Sequence, residues 1–313
     1  MQQKLLTPEQ IAAQAGTTIP QLRLPSRANV FADRAARLRA LAKNHPMAGY
    51  LEFSALLADA QHALVNDGPP MPLPAPMVIA QCIEHGMPPL NFRGHMRNAR
   101  WRAGLRRLLH TISRQTSGAQ YEVVIALEGE CDEFFETQAS KLLAGVRQGL
   151  HVAGAPFIGA ALQAYFTQLV IEMGEQSFPR IETATVCPCC GSRPTASVVR
   201  IGAKDAGYRF LHCALCNAEW HMVRIKCSNC ESTRGISYLH IDDGAPVDKH
   251  PVAVEVCEEC GTYLKVCYMD RDPNVDPVAD DLASLPLDLL VGDTGKTSSG
   301  VSFLLIHGDA ESA

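Results

Sequence analysis

Four pairs of cysteines, each with the spacing Cys-x-x-Cys, lie within residues 187–260 of this 313-residue chain. The pairs are Cys187/Cys190, Cys213/Cys216, Cys227/Cys230 and Cys257/Cys260. A gap of two residues lets one tight turn direct both sulfurs at the same metal ion, and two such turns complete a tetrahedron. The spacing therefore predicts metal sites made of four cysteines.

The lengths of the intervening loops indicate which pairs share a metal. The first and second pairs are separated by 22 residues, the third and fourth by 26, and the second and third by only 10. The two longer gaps suit two sequential sites of the zinc-ribbon type, each with its own small sheet, although crossed pairing is an alternative. Trp220 and Tyr263 follow the second turn of each unit, which suggests an internal duplication of about forty residues.

The turn after each pair needs a residue that tolerates a positive φ angle. Gly191, Asn217 and Gly261 meet this requirement at three of the turns, whereas Glu231 does not. Three of the four turns therefore have suitable residues.

The metal in such a site has a structural role in the simplest interpretation. Modules of this size lack a sufficient core without a metal, and four protein ligands leave no position for a substrate. Iron, bound as in rubredoxin, is the alternative that would add redox chemistry. Both metals accept a tetrahedron of thiolates, so the spacing does not distinguish iron from zinc.

The other four cysteines are Cys82, Cys131, Cys189 and Cys267. Cys189 lies inside the first turn and is interpreted as a cysteine that does not bind the metal. His212 and His221 are interpreted as neighbours of sites that already have four sulfurs. The first ten residues, MQQKLLTPEQ, lack the apolar core of a secretory signal. We therefore expect a cytoplasmic protein whose cysteines are reduced or metal-bound.

Residues 1–180 have the apolar periodicity of helices. A helix start is predicted at Thr7–Gln10, a connector at 71–76 and another at 87–89. Helical spacing predicts five helices, around residues 31–42, 50–64, 101–112, 135–146 and 156–175. Residues 152–171 carry no charge, but their Gly, Pro, Gln and Thr residues favour a buried bundle helix over a membrane span.

The fold class predicted is α+β multidomain, with an all-α domain followed by two small rubredoxin-like or zinc-ribbon-like metal modules. The predicted divisions are 1–180, 181–226, 227–270 and 271–313, the last containing one short helix around residues 282–290 and a tail. The two halves also differ in charge: residues 1–180 have 17 basic and 14 acidic residues, and residues 181–313 have 11 and 19. An acidic metal region argues against a nucleic-acid binder.

Seven arginines and no acidic residue occur between Asn91 and Ala119. Arg97, Arg102 and Arg106 are candidate residues for binding an acidic partner, because guanidinium groups pair well with carboxylates. The alternative is that this face pairs with the acidic stretch Glu128–Glu136 inside the bundle. The chain contains no motif for a catalytic base or nucleophile, so we do not expect an enzyme.

The cysteine region resembles one known family. Residues 210–221 read FLHCALCNAEWH, residues 223–230 read VRIKCSNC, and residues 280–285 read DDLASL. Together with Cys187, Cys257 and the order of the domains, these segments resemble the FdhE family of formate dehydrogenase accessory proteins. The resemblance implies a cytoplasmic maturation factor that binds iron through its Cys-x-x-Cys motifs and contacts the formate dehydrogenase catalytic subunit before export.

Two other functions are kept as alternatives. A rubredoxin-like electron carrier would use reversible redox of iron, and a zinc-ribbon nucleic-acid-binding protein would need a basic metal region. A homo-oligomer is also compatible with the sequence.

Overall fold

The computed structural model describes residues 19–202, 207–241, 244 and 246–304. Within these residues the chain has nine α-helices and eight β-strands. The helices are α1 (Val30–Ala42), α2 (Ala48–Asp67), α3 (Pro76–Glu84), α4 (Arg100–Ser113), α5 (Gly118–Glu128), α6 (Asp132–Ala144), α7 (Ala155–Met173), α8 (Pro277–Ala283) and α9 (Leu285–Gly292). The strands are β1 (Leu22–Arg23), β2 (Ala196–Val199), β3 (Arg209–His212), β4 (Glu219–His221), β5 (Ile236–Leu239), β6 (Val252–Cys257), β7 (Thr262–Tyr268) and β8 (Thr297–Ser298).

The predicted α+β organisation is confirmed, with a helical region followed by a strand-rich region. All five predicted helices are present, as α1, α2, α4, α6 and α7. The helix start predicted at Thr7–Gln10 lies outside the described residues. Two helices were not predicted, α3 and α5. The apolar residues of α5 lie side by side in the sequence, as in Val123–Leu127, and therefore lack the spacing that identifies an amphipathic helix. Helix α3 has only nine residues and lies between the two proline-rich connectors.

Helix α7 is the centre of the helical domain. All of its residues except Ile171 and Glu172 are buried, and it packs against α2, α4 and α6. The uncharged stretch is therefore a buried bundle helix, and among the described residues no helix is long and apolar enough to cross a membrane. Gln61 donates a hydrogen bond to the Gln163 side chain (2.9 Å), which satisfies polar groups inside this core.

The strands form one sheet, and the expectation of a separate small sheet for each module is wrong. The strand order is β1-β4-β3-β2-β7-β6-β5, with β8 beside β7. Strands β2 and β7 pair in parallel, with Ala196 opposite Lys265 and Val199 opposite Tyr268. Both strands are almost wholly buried, so leaving either as an edge would expose unpaired backbone groups and apolar side chains.

A buried ion pair crosses this junction between the modules. Arg209 on β3 donates to Glu255 on β6 at 2.8 Å, and the two side chains are only 2% and 3% exposed. The Tyr238 hydroxyl donates to the other carboxylate oxygen at 2.8 Å, and Arg209 also donates to the Lys226 carbonyl at 3.0 Å. These bonds fix the position of one module on the other.

The C-terminal region contains two short helices where the sequence predicted one around residues 282–290. Ser284 separates α8 from α9, and Pro286 lies in the first turn of α9, where its missing N–H costs no hydrogen bond. The Asp276 side chain caps α8 by accepting from the backbone N–H groups of Val278 and Ala279.

The tail then returns to the helical domain. Strand β8 pairs in parallel with β7, and Phe303 and Leu304 are buried. The Tyr50 hydroxyl of α2 donates to the Leu304 carbonyl at 2.6 Å. The tail thus joins the sheet to the bundle.

Replacing Glu255 should destabilise the protein strongly. Glu255→Ala leaves the Arg209 guanidinium buried without a carboxylate, which should lower the free energy of unfolding by about 3–5 kcal/mol. Urea unfolding measures this change, and Asp59→Ala, which removes the exposed ion pair with Arg39, is the matched control. The control should cost less than about 1 kcal/mol. Equal losses in the two variants would contradict the assigned role of the buried pair.

Candidate metal centres

Each Cys-x-x-Cys pair lies in a tight turn with the same backbone geometry. In every turn, the N–H of the residue after the second cysteine donates to the carbonyl of the first cysteine. These bonds join Gly191 to Cys187 (2.8 Å), Asn217 to Cys213 (2.9 Å), Glu231 to Cys227 (3.1 Å) and Gly261 to Cys257 (2.9 Å). All four donor residues have positive φ angles, between 58° and 77°.

Glu231 therefore adopts the left-handed conformation although its side chain disfavours it. Its φ angle is 62°, close to that of Asn217 at 58°. A side chain with a Cβ costs roughly 1 kcal/mol in this region compared with glycine. The Lys226 ammonium group lies 2.7 Å from the Glu231 carboxylate and offsets part of this cost. The geometry of the turn, rather than the residue preference, decides the conformation.

The turns bring the eight sulfurs together in two groups, pairing the cysteines sequentially. The first group is Cys187, Cys190, Cys213 and Cys216, and the second is Cys227, Cys230, Cys257 and Cys260. Within each group all four sulfurs lie within 4.8 Å of one another. The crossed pairing is therefore not the one observed.

The sulfur separations fit a tetrahedral metal. In the first group the sulfurs of Cys187 and Cys216 are 3.5 Å apart, and those of Cys190 and Cys213 are 3.4 Å apart. In the second group two such separations are each 3.7 Å. A metal about 2.3 Å from each of four tetrahedral sulfurs holds those sulfurs about 3.8 Å apart. Four sulfurs at these separations are a suitable ligand set for zinc or iron.

The two groups differ in their exposure to solvent. All four cysteines of the first group are buried. In the second group Cys230 is exposed and Cys260 is half-buried. The first group is thus enclosed by protein, whereas the second is open to solvent on one side.

Neighbouring polar groups form hydrogen bonds with the sulfurs. The Ser192 hydroxyl lies 2.9 Å from the Cys213 sulfur, and the Thr262 hydroxyl lies 3.0 Å from the Cys260 sulfur. Burial alone would raise the pKa of the Cys260 thiol, but hydrogen bonds from Asn229 and Thr262 outweigh it and lower that pKa to about 6. At Cys260 this environment favours the thiolate, which is the form that binds a metal.

The remaining cysteines lie outside both groups. Cys189 is buried in the first turn with its thiol against the Cys187 and Cys216 sulfurs, and burial raises its pKa. Burial likewise raises the pKa of Cys267, which lies in β7. Cys131 is exposed at the start of α6, and Cys82 is half-buried on α3.

His212 and His221 are not members of either sulfur group. Both lie in the sheet next to the first site, in β3 and β4. Burial lowers the pKa of His212 to about 4, so its imidazole is neutral at physiological pH.

The helical domain holds the second turn of the first site through side chains. Asn217 accepts a hydrogen bond from Arg34 (2.7 Å) and donates one to the Thr167 hydroxyl (2.8 Å). Gln163 donates to the Ala214 carbonyl at 2.7 Å. The sequence analysis does not predict these contacts, although polar residues in an otherwise apolar α7 indicate that the helix bonds a neighbouring element.

Backbone bonds hold the first turn of the same site. The N–H of Leu90 donates to the Cys189 carbonyl (3.0 Å), and the N–H of Phe92 donates to the Cys190 carbonyl (2.9 Å). Both turns of the first site are therefore bonded directly to residues of the helical domain.

The three candidate partner-binding arginines form ion pairs within the bundle. Arg97 lies 2.7 Å from the Glu136 carboxylate, and Arg102 contacts both Glu136 and Asp132. Arg106 lies 2.9 Å from the Asp132 carboxylate. The structure thus shows the pairing with the acidic stretch that was the alternative. A role of these arginines in partner binding stays a prediction.

Fold and sites together define a class of protein in which a helical domain is joined to two four-cysteine metal-binding groups. Three FdhE family models match the chain: the N-terminal domain over residues 19–181, the central domain over 186–224 and the C-terminal domain over 225–305. The chain belongs to the FdhE family.

Individual relatives agree with this assignment. A protein described as an FdhE homolog from Cronobacter sakazakii is 40% identical over 94% of this chain and 93% of its own. The FdhE protein of Salmonella typhimurium is 38% identical over the same shares. The crystal structure of the FdhE protein from Pseudomonas aeruginosa superposes with a TM-score of 0.85 at 37% identity, covering 92% of this chain and all of that one.

Two substitutions at the residue that follows a Cys-x-x-Cys pair should change the free energy of unfolding in opposite directions. Glu231→Gly removes the left-handed strain and should raise the free energy of unfolding by about 1 kcal/mol. Gly261→Ala introduces the same strain, with no atom within 4 Å of the added Cβ, and should lower it by about 1 kcal/mol. Urea unfolding of metal-loaded protein measures both changes. A loss of stability in Glu231→Gly would show that the Lys226 contact outweighs the strain.

Proposed function

We propose that this protein is an accessory factor needed for the production of active formate dehydrogenase. It binds the catalytic subunit of that enzyme in the cytoplasm before export, and it is not itself an enzyme. The observation that carries the proposal is the match to the family over nearly the whole chain, with both four-cysteine groups intact.

The architecture of the two sites supports a binding role over a catalytic one. Cys187, Cys190, Cys213 and Cys216 would hold one metal, and Cys227, Cys230, Cys257 and Cys260 would hold the other. Each set supplies four ligands, so a metal held there has no position left for a substrate or a reactive water.

Iron is the metal that we propose for both sites, and zinc is the alternative. A tetrahedron of four thiolates accepts either ion, and iron bound in this way supplies one-electron redox chemistry. The protein's own contribution is to bury the first site and to place hydroxyl groups such as those of Ser192 and Thr262 beside the ligand sulfurs.

A rubredoxin-like electron carrier is the second candidate function. The exposure of Cys230 favours it, because electron transfer needs a metal site close to the protein surface. The carrier hypothesis requires that the purified protein be reduced and reoxidised reversibly, whereas the accessory role requires a complex with the catalytic subunit.

Cysteine variants test the accessory role in cells that lack the native gene. Cys213→Ala and Cys230→Ala should each lose one of the two metals, because a site with three thiolates binds more weakly, and each should abolish formate dehydrogenase activity. Metal analysis of the purified variants and an activity assay on the cells measure these outcomes.

Cys131→Ser is the matched control, since Cys131 is exposed and belongs to neither sulfur group. It should retain both metals and full support of formate dehydrogenase activity. If a variant without metal supported full activity, the metal sites would have no part in the function and the proposal would fail.

A further inference from the structure

Helix α3 and the residues on either side of it, residues 71–92, form a segment with exposed apolar side chains. No residue of α3 is buried. Five large apolar side chains of the segment are between 39% and 72% exposed: Leu73, Met77, Val78, Ile83 and Met87. Several large apolar side chains exposed along one short segment are typical of an interaction site, and methionine adapts well to different partners.

Both ends of this α3 segment are bonded to the rest of the protein. At its start, the N–H of Met71 donates to the Glu172 carboxylate at 2.6 Å, and Arg100 donates to the Pro70 carbonyl. At its end, the N–H groups of Leu90 and Phe92 donate to carbonyls of the first cysteine turn. The apolar helix therefore lies between two fixed points, one of which belongs to a metal site, and it rests on the body of the protein through Ile79.

Arginines outnumber acidic residues in the sequence around the α3 segment. Between Asp67 and Glu122 the chain has one acidic residue, Glu84, and seven arginines. Arg93 and Arg100 flank the two ends of the segment, and among the described residues neither forms an ion pair with a carboxylate. Arg100 bonds the Pro70 carbonyl and Arg93 packs on the Phe92 ring, so the apolar surface is bordered by guanidinium groups that have no carboxylate partner in the part of the chain that the structure describes.

This combination of charge and apolar surface identifies the chemistry of the partner. A second copy of the chain, docked through the same surface, would place arginines close to arginines, which is unfavourable. An apolar segment with acidic flanks would cover the exposed side chains and also pair with Arg93 and Arg100.

We propose that the α3 segment is a docking surface for an apolar, acid-flanked segment of a partner polypeptide, and that the first four-cysteine site holds this surface in position. The proposal rests on the proposed function, because it identifies the surface through which this protein would bind its partner. It also gives the first site a structural role, because the turn at Cys187–Cys190 fixes one end of the segment.

A pair of synthetic peptides tests the docking surface without reference to formate dehydrogenase. One is an amphipathic helix with leucines on one face and glutamates on its flanks, and the other has lysine in place of every glutamate. The full-length, metal-loaded protein should bind the acidic peptide about tenfold or more tightly than the basic one in a fluorescence anisotropy titration. Equal affinities, or no binding of the acidic peptide, would overturn the proposal.

Substitutions in the chain locate the binding. Met77→Ser combined with Ile83→Ser should weaken binding of the acidic peptide about tenfold. Leu289→Ser combined with Leu290→Ser is the matched control, because these α9 side chains are 57% and 58% exposed. The control should bind normally, and an equal loss in both would overturn the assignment. Circular dichroism checks that each variant is folded.

Removal of the first metal tests the link between site and surface. Cys190→Ser should weaken peptide binding as much as the α3 variant does, whereas Cys230→Ser, in the second site, should leave it unchanged. Equal binding by both cysteine variants and the unsubstituted protein would overturn the link.

Two further probes separate the alternative occupants. Binding of anionic vesicles through Met77 and Ile83 without peptide binding would assign the surface to membranes, and a dimer lost in the α3 variant would assign it to a second copy. Either result would overturn the proposal. If the acidic peptide binds through α3 but the purified catalytic subunit of formate dehydrogenase does not, the docking surface stands and the proposed function fails.

Discussion

The first four-cysteine group is the constraint on which most of this structure depends. Its two turns present backbone carbonyls to the helical domain, where Gln163 bonds Ala214 and the loop before α4 bonds Cys189 and Cys190. Strands β2 and β3 connect the same two turns, and β2 pairs with β7 of the second module. The helical domain and the two modules therefore meet at this set of four sulfurs, while the Arg37–Asp280 ion pair and the Tyr50–Leu304 hydrogen bond join the helical domain directly to the C-terminal region.

The second group has a different place in this arrangement. Its turns have the same backbone bonds, but Cys230 is exposed and no bond from the helical domain to either turn is present among the described residues. The buried group suits a structural metal that positions other surfaces, such as the α3 segment. The open group suits a metal that a partner protein or a redox partner approaches. The two sites are thus alike in ligands and unlike in surroundings.

The parts of this architecture that depend on local sequence could be predicted. The Cys-x-x-Cys spacing predicts a turn at each pair, and the loop lengths favour sequential pairing of the turns. Both sulfur groups could therefore be predicted from short stretches of sequence. Five helices were predicted from the helical spacing of their apolar residues. The boundaries predicted after residues 180, 226 and 270 stay predictions.

The parts that depend on distant partners could not be predicted. Strands β2 and β7 pair although they are far apart in the sequence, and no local pattern indicates this pairing. The structure therefore has one sheet instead of the two that were expected. Helix α3 is only nine residues long and buries none of them, which left it unassigned. Arg34 and Asn217 meet only because the bundle packs on the first module.

Hydrogen–deuterium exchange on the metal-loaded protein and on the same protein after chelation tests the central claim most directly. If the first metal organises the junction, its removal should expose the amides of β2, β3 and β7 and of residues 88–92 to exchange, while α2 and the core of α7 stay protected. Unchanged protection of β2, β7 and residues 88–92 after complete loss of metal would contradict the account.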